Sequence, residues 1–173
     1  MTTTTSILTR FQRILVGTDG TVTHILEAYA EEPIEAVKLA QEHDTCQDSD
    51  AALELPERAK VLRRRVVLRG RNSGRNLLYA EAIVVPDRVH LNLLSGLLGT
   101  DKPIGRLLAE NRMETFREIL VVYREPAGPC AVHFGIEGAS ELISRTYRIV
   151  ERGQPIMLIT EKFPAHFFRG LPP

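Results

Sequence analysis

Two residues of opposite charge stand where this sequence otherwise reads as buried sheet. Glu161 follows the run PIMLIT, which is apolar from Pro155 to Ile159 and so is patterned for a central strand. A carboxylate at the end of such a strand is costly unless it is paired, solvated or used. In use it would be a general acid or base tuned by apolar surroundings; otherwise it reaches water or pairs with Lys162 or a neighbouring arginine. Arg64 is the middle member of the triplet in VLRRRVVLR. Strand alternation puts it on one face with Leu62, Val66 and Leu68, while Arg63 and Arg65 share the other with Val61, Val67 and Arg69. A guanidinium on an apolar face is a planar fork suited to clamping a carboxylate. Its alternative is to snorkel into the basic cluster formed by Lys60, Arg63, Arg65, Arg69, Arg71 and Arg75. That cluster could focus field on an anionic substrate, but it lacks the interleaved aromatics of a nucleic-acid surface.

Other chemistries lack their residues. The histidines His24, His43, His90, His133 and His166 form no HExxH or close pair, and no GxSxG turn is present. The glycines of GTDGT and GRNSG make neither a P-loop nor a dinucleotide fingerprint. Cys46 and Cys130 lie far apart with no metal-ligand spacing, which reads as two reduced thiols and no zinc site. Lys plus Arg and Asp plus Glu balance at 22 each, so no net field points to nucleic acid. No apolar run approaches the roughly 20 residues a bilayer span needs, and the first residues, MTTTTSILTR, lack the pattern of a secretion signal. The expectation is a cytoplasmic protein without membrane contact.

The elements that must hold Glu161 and Arg64 follow from periodicity. TYRIV and PIMLIT flank Glu151, Arg152, Gly153 and Gln154, a hairpin turn composition. Residues 61–69 and 77–85 are two more strands joined by GRNSGRN, and residues 115–123 are another. A helix capped by Ser6 is expected through Leu15, a short one over residues 21–30 with Thr21 or Thr23 as cap, one from Asp87 to about residue 98, and one from Pro103 to Asn111. Residues 139–144 read as helical, 125–138 as a long loop, and 46–52 as a mobile one. Residues 34–42 read as helix on propensity alone. Strands in adjacent pairs separated by helices favour an α+β fold, a single central antiparallel sheet covered by helices. At 173 residues one domain is expected, with residues 1–5 a frayed tail.

The segments DGTVT (19–23), LRRRVVLRGRNS (62–73), AEAIVVPDR (80–88), KPIGRLL (102–108) and ERGQPIMLITEKFP (151–164) together resemble the chorismate pyruvate-lyases. The match is to the branch with a KGRNS-type turn and a GGQPIM-type hairpin, and it spans about residues 10–168. The resemblance implies the chorismate lyase-like fold, an enclosed site beneath helical flaps, and a strand at 34–42 in place of the propensity helix. It implies removal of the enolpyruvyl group of chorismate to give 4-hydroxybenzoate and pyruvate, with neither metal nor organic cofactor; separately from the resemblance, a monomer or weak homodimer is the expectation. Arg64 falls where the family's arginine holds the ring carboxylate, and Glu161 where its acid faces the ring oxygen. Val22, Ile104 and Gly105 fall where the pocket is lined. One departure stands out: Ala82 occupies a position at which ubiquinone-pathway members carry arginine. Arg145 and Arg148, on the strand paired with that of Glu161, are the expected substitutes. The same fold also serves as an effector-sensing domain of transcription regulators, which usually carry a further winged-helix domain of about 70 residues that this chain has no room for. A buried Arg64–Glu161 pair with no pocket is the third alternative.

Overall fold

The computed structural model describes residues 8–170. Six strands form one antiparallel sheet in the order β1-β2-β3-β6-β5-β4. They are β1 (Ile34–Thr45), β2 (Lys60–Gly70), β3 (Asn76–Val84), β4 (Phe116–Pro126), β5 (Glu141–Glu151) and β6 (Gln154–Pro164). The α+β architecture with helices over the sheet is the expected one. The β5–β6 hairpin turns at Arg152 and Gly153, both with positive φ (50° and 80°), the primed geometry whose twist suits a two-residue hairpin. β6 lies inside the sheet between β3 and β5, in keeping with its nearly continuous apolar run.

Four helices cover one face: α1 (Arg10–Gly17), α2 (Val22–Ala30), α3 (Leu91–Gly99) and α4 (Ile104–Glu110). α1 begins at a capping box in which Thr9 Oγ1 accepts from the Gln12 amide and Gln12 Oε1 from the Thr9 amide. The expected cap, Ser6, lies outside the described residues. Phe11, Leu15, Leu26, Leu68 and Phe163 pack together beneath α1 and α2, whereas Leu93, Leu97 and Leu107 of α3 and α4 pack on Val84, Ile149 and Met157. Between these two apolar clusters the sheet face is left for the site.

Several local expectations are corrected. Residues 139–144 do not form a helix; β5 begins at Glu141, where pairing with β4 outweighs local composition. Residues 34–42 are strand, as the resemblance implied, because β1 pairs along its length with β2. Asp87 sits in a 3-10 turn over Pro86–Arg88, and α3 starts later with His90 as its cap. The 125–138 segment includes α5 (Ala131–Phe134). The 46–52 segment packs through Cys46, and Leu53 and Leu55 beyond it are buried with Val61 and Val85.

Candidate active site

Cross-strand register assembles the site. In an antiparallel sheet directly opposed residues share a face. Arg64 opposes Ala82, which opposes Ile159, which opposes Tyr147; one row along, Val66, Ala80, Glu161 and Arg145 are aligned in the same way. Both rows face α2 and α4, whose first turns close the space. The result is a cavity walled by Arg64, Glu161, Arg117 and Tyr147 among apolar side chains, with Val22, Ile104 and Gly105 at its helical side. The cavity has a volume of about 60 Å³. A Cβ on Gly105 would stand 2.9 Å from Thr21 Cγ2, so glycine lets the start of α4 approach the start of α2. Both helix starts carry amides that no intrahelical carbonyl accepts from, a favourable wall for an anion.

Arg64 is 2% exposed, so the solvated alternative is not realised. Its Nη1 donates to the Leu97 carbonyl at 2.8 Å and to Gln41 Oε1 at 3.3 Å, and its Nη2 donates to the Lys102 carbonyl at 3.0 Å. These acceptors are neutral; Arg64 is in no ion pair among the described residues, and Asp101 acts on it only through its field. Burial pushes the Arg64 pKa down, with Asp101 opposing that shift. Leu97 lies in the last turn of α3, so the guanidinium also satisfies a carbonyl at a negative helix end. The site therefore holds a desolvated cation without a counter-anion.

Glu161, 4% exposed, has a different partner from the one a buried Arg64–Glu161 pair would require. Its Oε2 accepts from Arg145 Nε at 2.7 Å and its Oε1 from the Tyr147 hydroxyl at 3.0 Å. Arg145 is 1% exposed, donates through Nη1 to the Thr18 carbonyl at 2.9 Å, and lies 5.1 Å from the Tyr147 ring centroid. Burial, reinforced by the charge of Glu161, raises the Tyr147 pKa well above the ordinary phenol value. Tyr147 therefore stays a hydroxyl donor.

Arg145 thus stands behind Glu161 rather than in the cavity wall. Arg148 faces the other side of the sheet, donating through Nε to Glu118 Oε2 at 2.7 Å and through Nη1 to the Ala52 carbonyl at 3.1 Å. Ala82 lines the cavity. Tyr147 and Arg117 were not singled out from sequence. Tyr147 was accessible, since it lies two positions from Arg145 on the same strand face; Arg117 depends on the pairing of β4 with β5. Among the described residues no group of three or more His, Cys, Asp or Glu is placed to hold a metal ion, and no helix is long and apolar enough to cross a membrane.

Residues 16–170 match the family model described as Rv2949c-like chorismate pyruvate-lyase. A chorismate pyruvate-lyase of Mycobacterium tuberculosis is 31% identical over 169 residues, covering 95% of this chain and 85% of the relative. One from Mycobacterium leprae is 32% identical over 171 residues, covering 95% and 79%. Among solved structures, the effector domain of PhnF from Mycobacterium smegmatis superposes with a TM-score of 0.65 at 16% identity, covering 85% of this chain and 90% of that one. The C-terminal domain of a histidine utilization repressor from Pseudomonas syringae gives 0.60 at 14% identity, covering 79% and 94%. At these identities the regulators share the fold alone.

Proposed function

The chain belongs to the Rv2949c-like chorismate pyruvate-lyase family, and we propose that it converts chorismate to 4-hydroxybenzoate and pyruvate in the cavity between Arg64 and Glu161. The observation that carries this reading is a buried guanidinium with no carboxylate partner facing the same enclosed space as a carboxylate held by two donors.

The chemistry asks for little beyond placement. Breaking the ring-carbon to ether-oxygen bond and removing the neighbouring ring proton makes the ring aromatic; the departing enolpyruvate takes up a proton and becomes pyruvate. Arg64 binds the ring carboxylate, pre-oriented by the carbonyls that grip its Nη atoms, and fixes the ring in the cavity. Val22, Ile104 and Gly105 close the wall on the opposite side. Glu161 handles a proton. Arg145 Nε and the Tyr147 hydroxyl fix its two oxygens at the cavity wall, where the carboxylate is placed to take up the ring proton. Tyr147 and Arg145 hold that oxygen pair in place and balance its charge as the proton moves. An enclosed aromatic product bound by an arginine leaves slowly, so product inhibition follows. The protein works as one lyase domain in the cytoplasm, as a monomer or weak homodimer, with no nucleic-acid partner.

Purified protein is mixed with chorismate and pyruvate is followed by a coupled reduction, with 4-hydroxybenzoate read by chromatography. Equal amounts of the two products are expected. Intact chorismate beside tight 4-hydroxybenzoate binding would replace the lyase with a sensor, the function the fold serves in the regulators.

A further inference from the structure

Arg117 enters the same cavity from β4, one of the two edge strands. It opposes Ile149, another wall residue, which places both on the site face. Its Nη1 donates to the Asp19 carbonyl, in the loop that Arg145 grips one residue earlier at Thr18. Its Nε is buried and has no hydrogen-bond partner among the described residues. A charged donor shut away from water without an acceptor is a costly arrangement unless a ligand completes it.

The charge inventory of the site agrees. Arg64, Arg117 and Arg145 face one carboxylate, Glu161, which leaves two positive charges in excess. A monoanion would balance half of that; chorismate carries two carboxylates. Arg145 is occupied by Glu161, Arg148 is on the far face with Glu118, and position 82 is alanine. Among the described residues that line the cavity, Arg64 and Arg117 are then the cations left to face a ligand, on strands β2 and β4 at opposite sides of the cavity floor.

We propose that Arg117 binds the second carboxylate of the substrate, the one on the enolpyruvyl group, while Arg64 holds the carboxylate on the ring. This rests on the lyase reading above and adds a specificity residue to it. Arg117 selects the dianionic ether over a monoanionic ring acid. When the ether bond breaks, the carboxylate bound by Arg117 departs with pyruvate, and 4-hydroxybenzoate is left with the Arg64 contact only.

The test uses two stable acids, 3-(carboxymethoxy)benzoate, a dianion, and 3-methoxybenzoate, a monoanion of similar shape, titrated calorimetrically into wild-type, Arg117→Gln and Arg117→Lys proteins. Wild type should prefer the dianion. Arg117→Gln should weaken the dianion roughly 10- to 100-fold and the monoanion by no more than about twofold, with Arg117→Lys in between. Retained monoanion binding shows that the variant is folded. Equal weakening of both acids would make Arg117 a strap for the Asp19 loop and overturn the proposal, as would a wild type that does not discriminate. Pyruvate release from chorismate is measured separately. Discrimination without pyruvate would sink the lyase reading and leave the Arg117 assignment standing.

Discussion

Replacing Glu161 by glutamine tests the site twice, because the buried carboxylate serves both the reaction and the fold. Glutamine keeps the shape and can still accept from the Tyr147 hydroxyl. With that amide orientation the atom facing Arg145 Nε, now 2.7 Å from Glu161 Oε2, becomes an NH2 donor, and with the flipped orientation a neutral oxygen. In either case Arg145, 1% exposed, loses its counter-charge. Removing one member of a buried ion pair typically costs about 3–5 kcal/mol. For a chain of this size each kcal/mol lowers the melting temperature by about 2–4 °C, so a fall of roughly 6–20 °C is expected. The double variant Arg145→Met with Glu161→Gln removes the stranded cation as well, and at least half of the lost stability should return. Pyruvate release should be nearly absent in both proteins, which separates the catalytic loss from the loss of stability. Thermal unfolding followed by circular dichroism, with the coupled pyruvate assay, gives both readouts. A single variant melting within about 2 °C of wild type, or a double variant no more stable than the single one, would mean that the Arg145–Glu161 pair does not carry the buried charge as argued.

Arg64→Ala should weaken 4-hydroxybenzoate by about 2–3 kcal/mol, roughly 30- to 150-fold by titration, since it removes a charge-assisted clamp; unchanged affinity would place the ring carboxylate elsewhere. Gly105→Ala sets a new methyl 2.9 Å from Thr21 Cγ2 where α4 and α2 meet over the cavity, so KM for chorismate should rise several-fold while the melting temperature moves by only a few degrees. Tyr147→Phe tests a pH dependence. In the unfolded chain this phenol ionises near its ordinary 10.0, while in the fold burial holds it protonated well above that value. Its stabilising contribution is therefore complete below about pH 10 and is lost as pH rises towards the folded value; the phenylalanine variant should lose stability less steeply above pH 10 in urea titrations.

Much of the scaffold was legible because patterning and turn chemistry agree where burial is strong. The GRNSG turn and its two flanking strands, the Arg152–Gly153 hairpin and the helix over Val22–Ala30 were each readable from local signals. Alternation alone put Arg64 on the apolar face. The failures fall where distant pairing decides. Ala, Glu, Lys and Leu give residues 34–42 a helical preference, yet β1 forms because β2 offers eleven register partners to it, from Gly70 back to Lys60. The 139–144 stretch has a helical composition too, and β4 draws it into β5 from Glu141 onward. Arg117 depends on the same long-range event: only when β4 pairs with β5 does its side chain come onto the face of Ile149.

The partner of Glu161 shows how small a feature can reassign a site. Counting outward from the Glu151–Gln154 pair without interruption would set Ser144 opposite Glu161, and the carboxylate would then face a hydroxyl-bearing neighbour. The observed register instead opposes Arg145 to Glu161, because the ladder slips by one residue between Ile149 and Val150. The extra residue falls on β6: Val150 faces Pro155, Ile149 faces Met157, and Ile156 is left between them. Proline has no amide hydrogen for a ladder and is confined within sheets to strand starts, edges and bulges. Pro155 stands at the start of β6, where both a strand start and a bulge admit proline, and the bulged residue is its neighbour Ile156. Taken into account, it shifts the register by one and moves a cation opposite the buried acid. The hairpin sequence thus already held the reason that buried Glu161 has a cation for a partner: the bulge at Ile156, next to Pro155, selects Arg145 over Ser144, and the alternation from Arg145 then brings Tyr147 to its other oxygen.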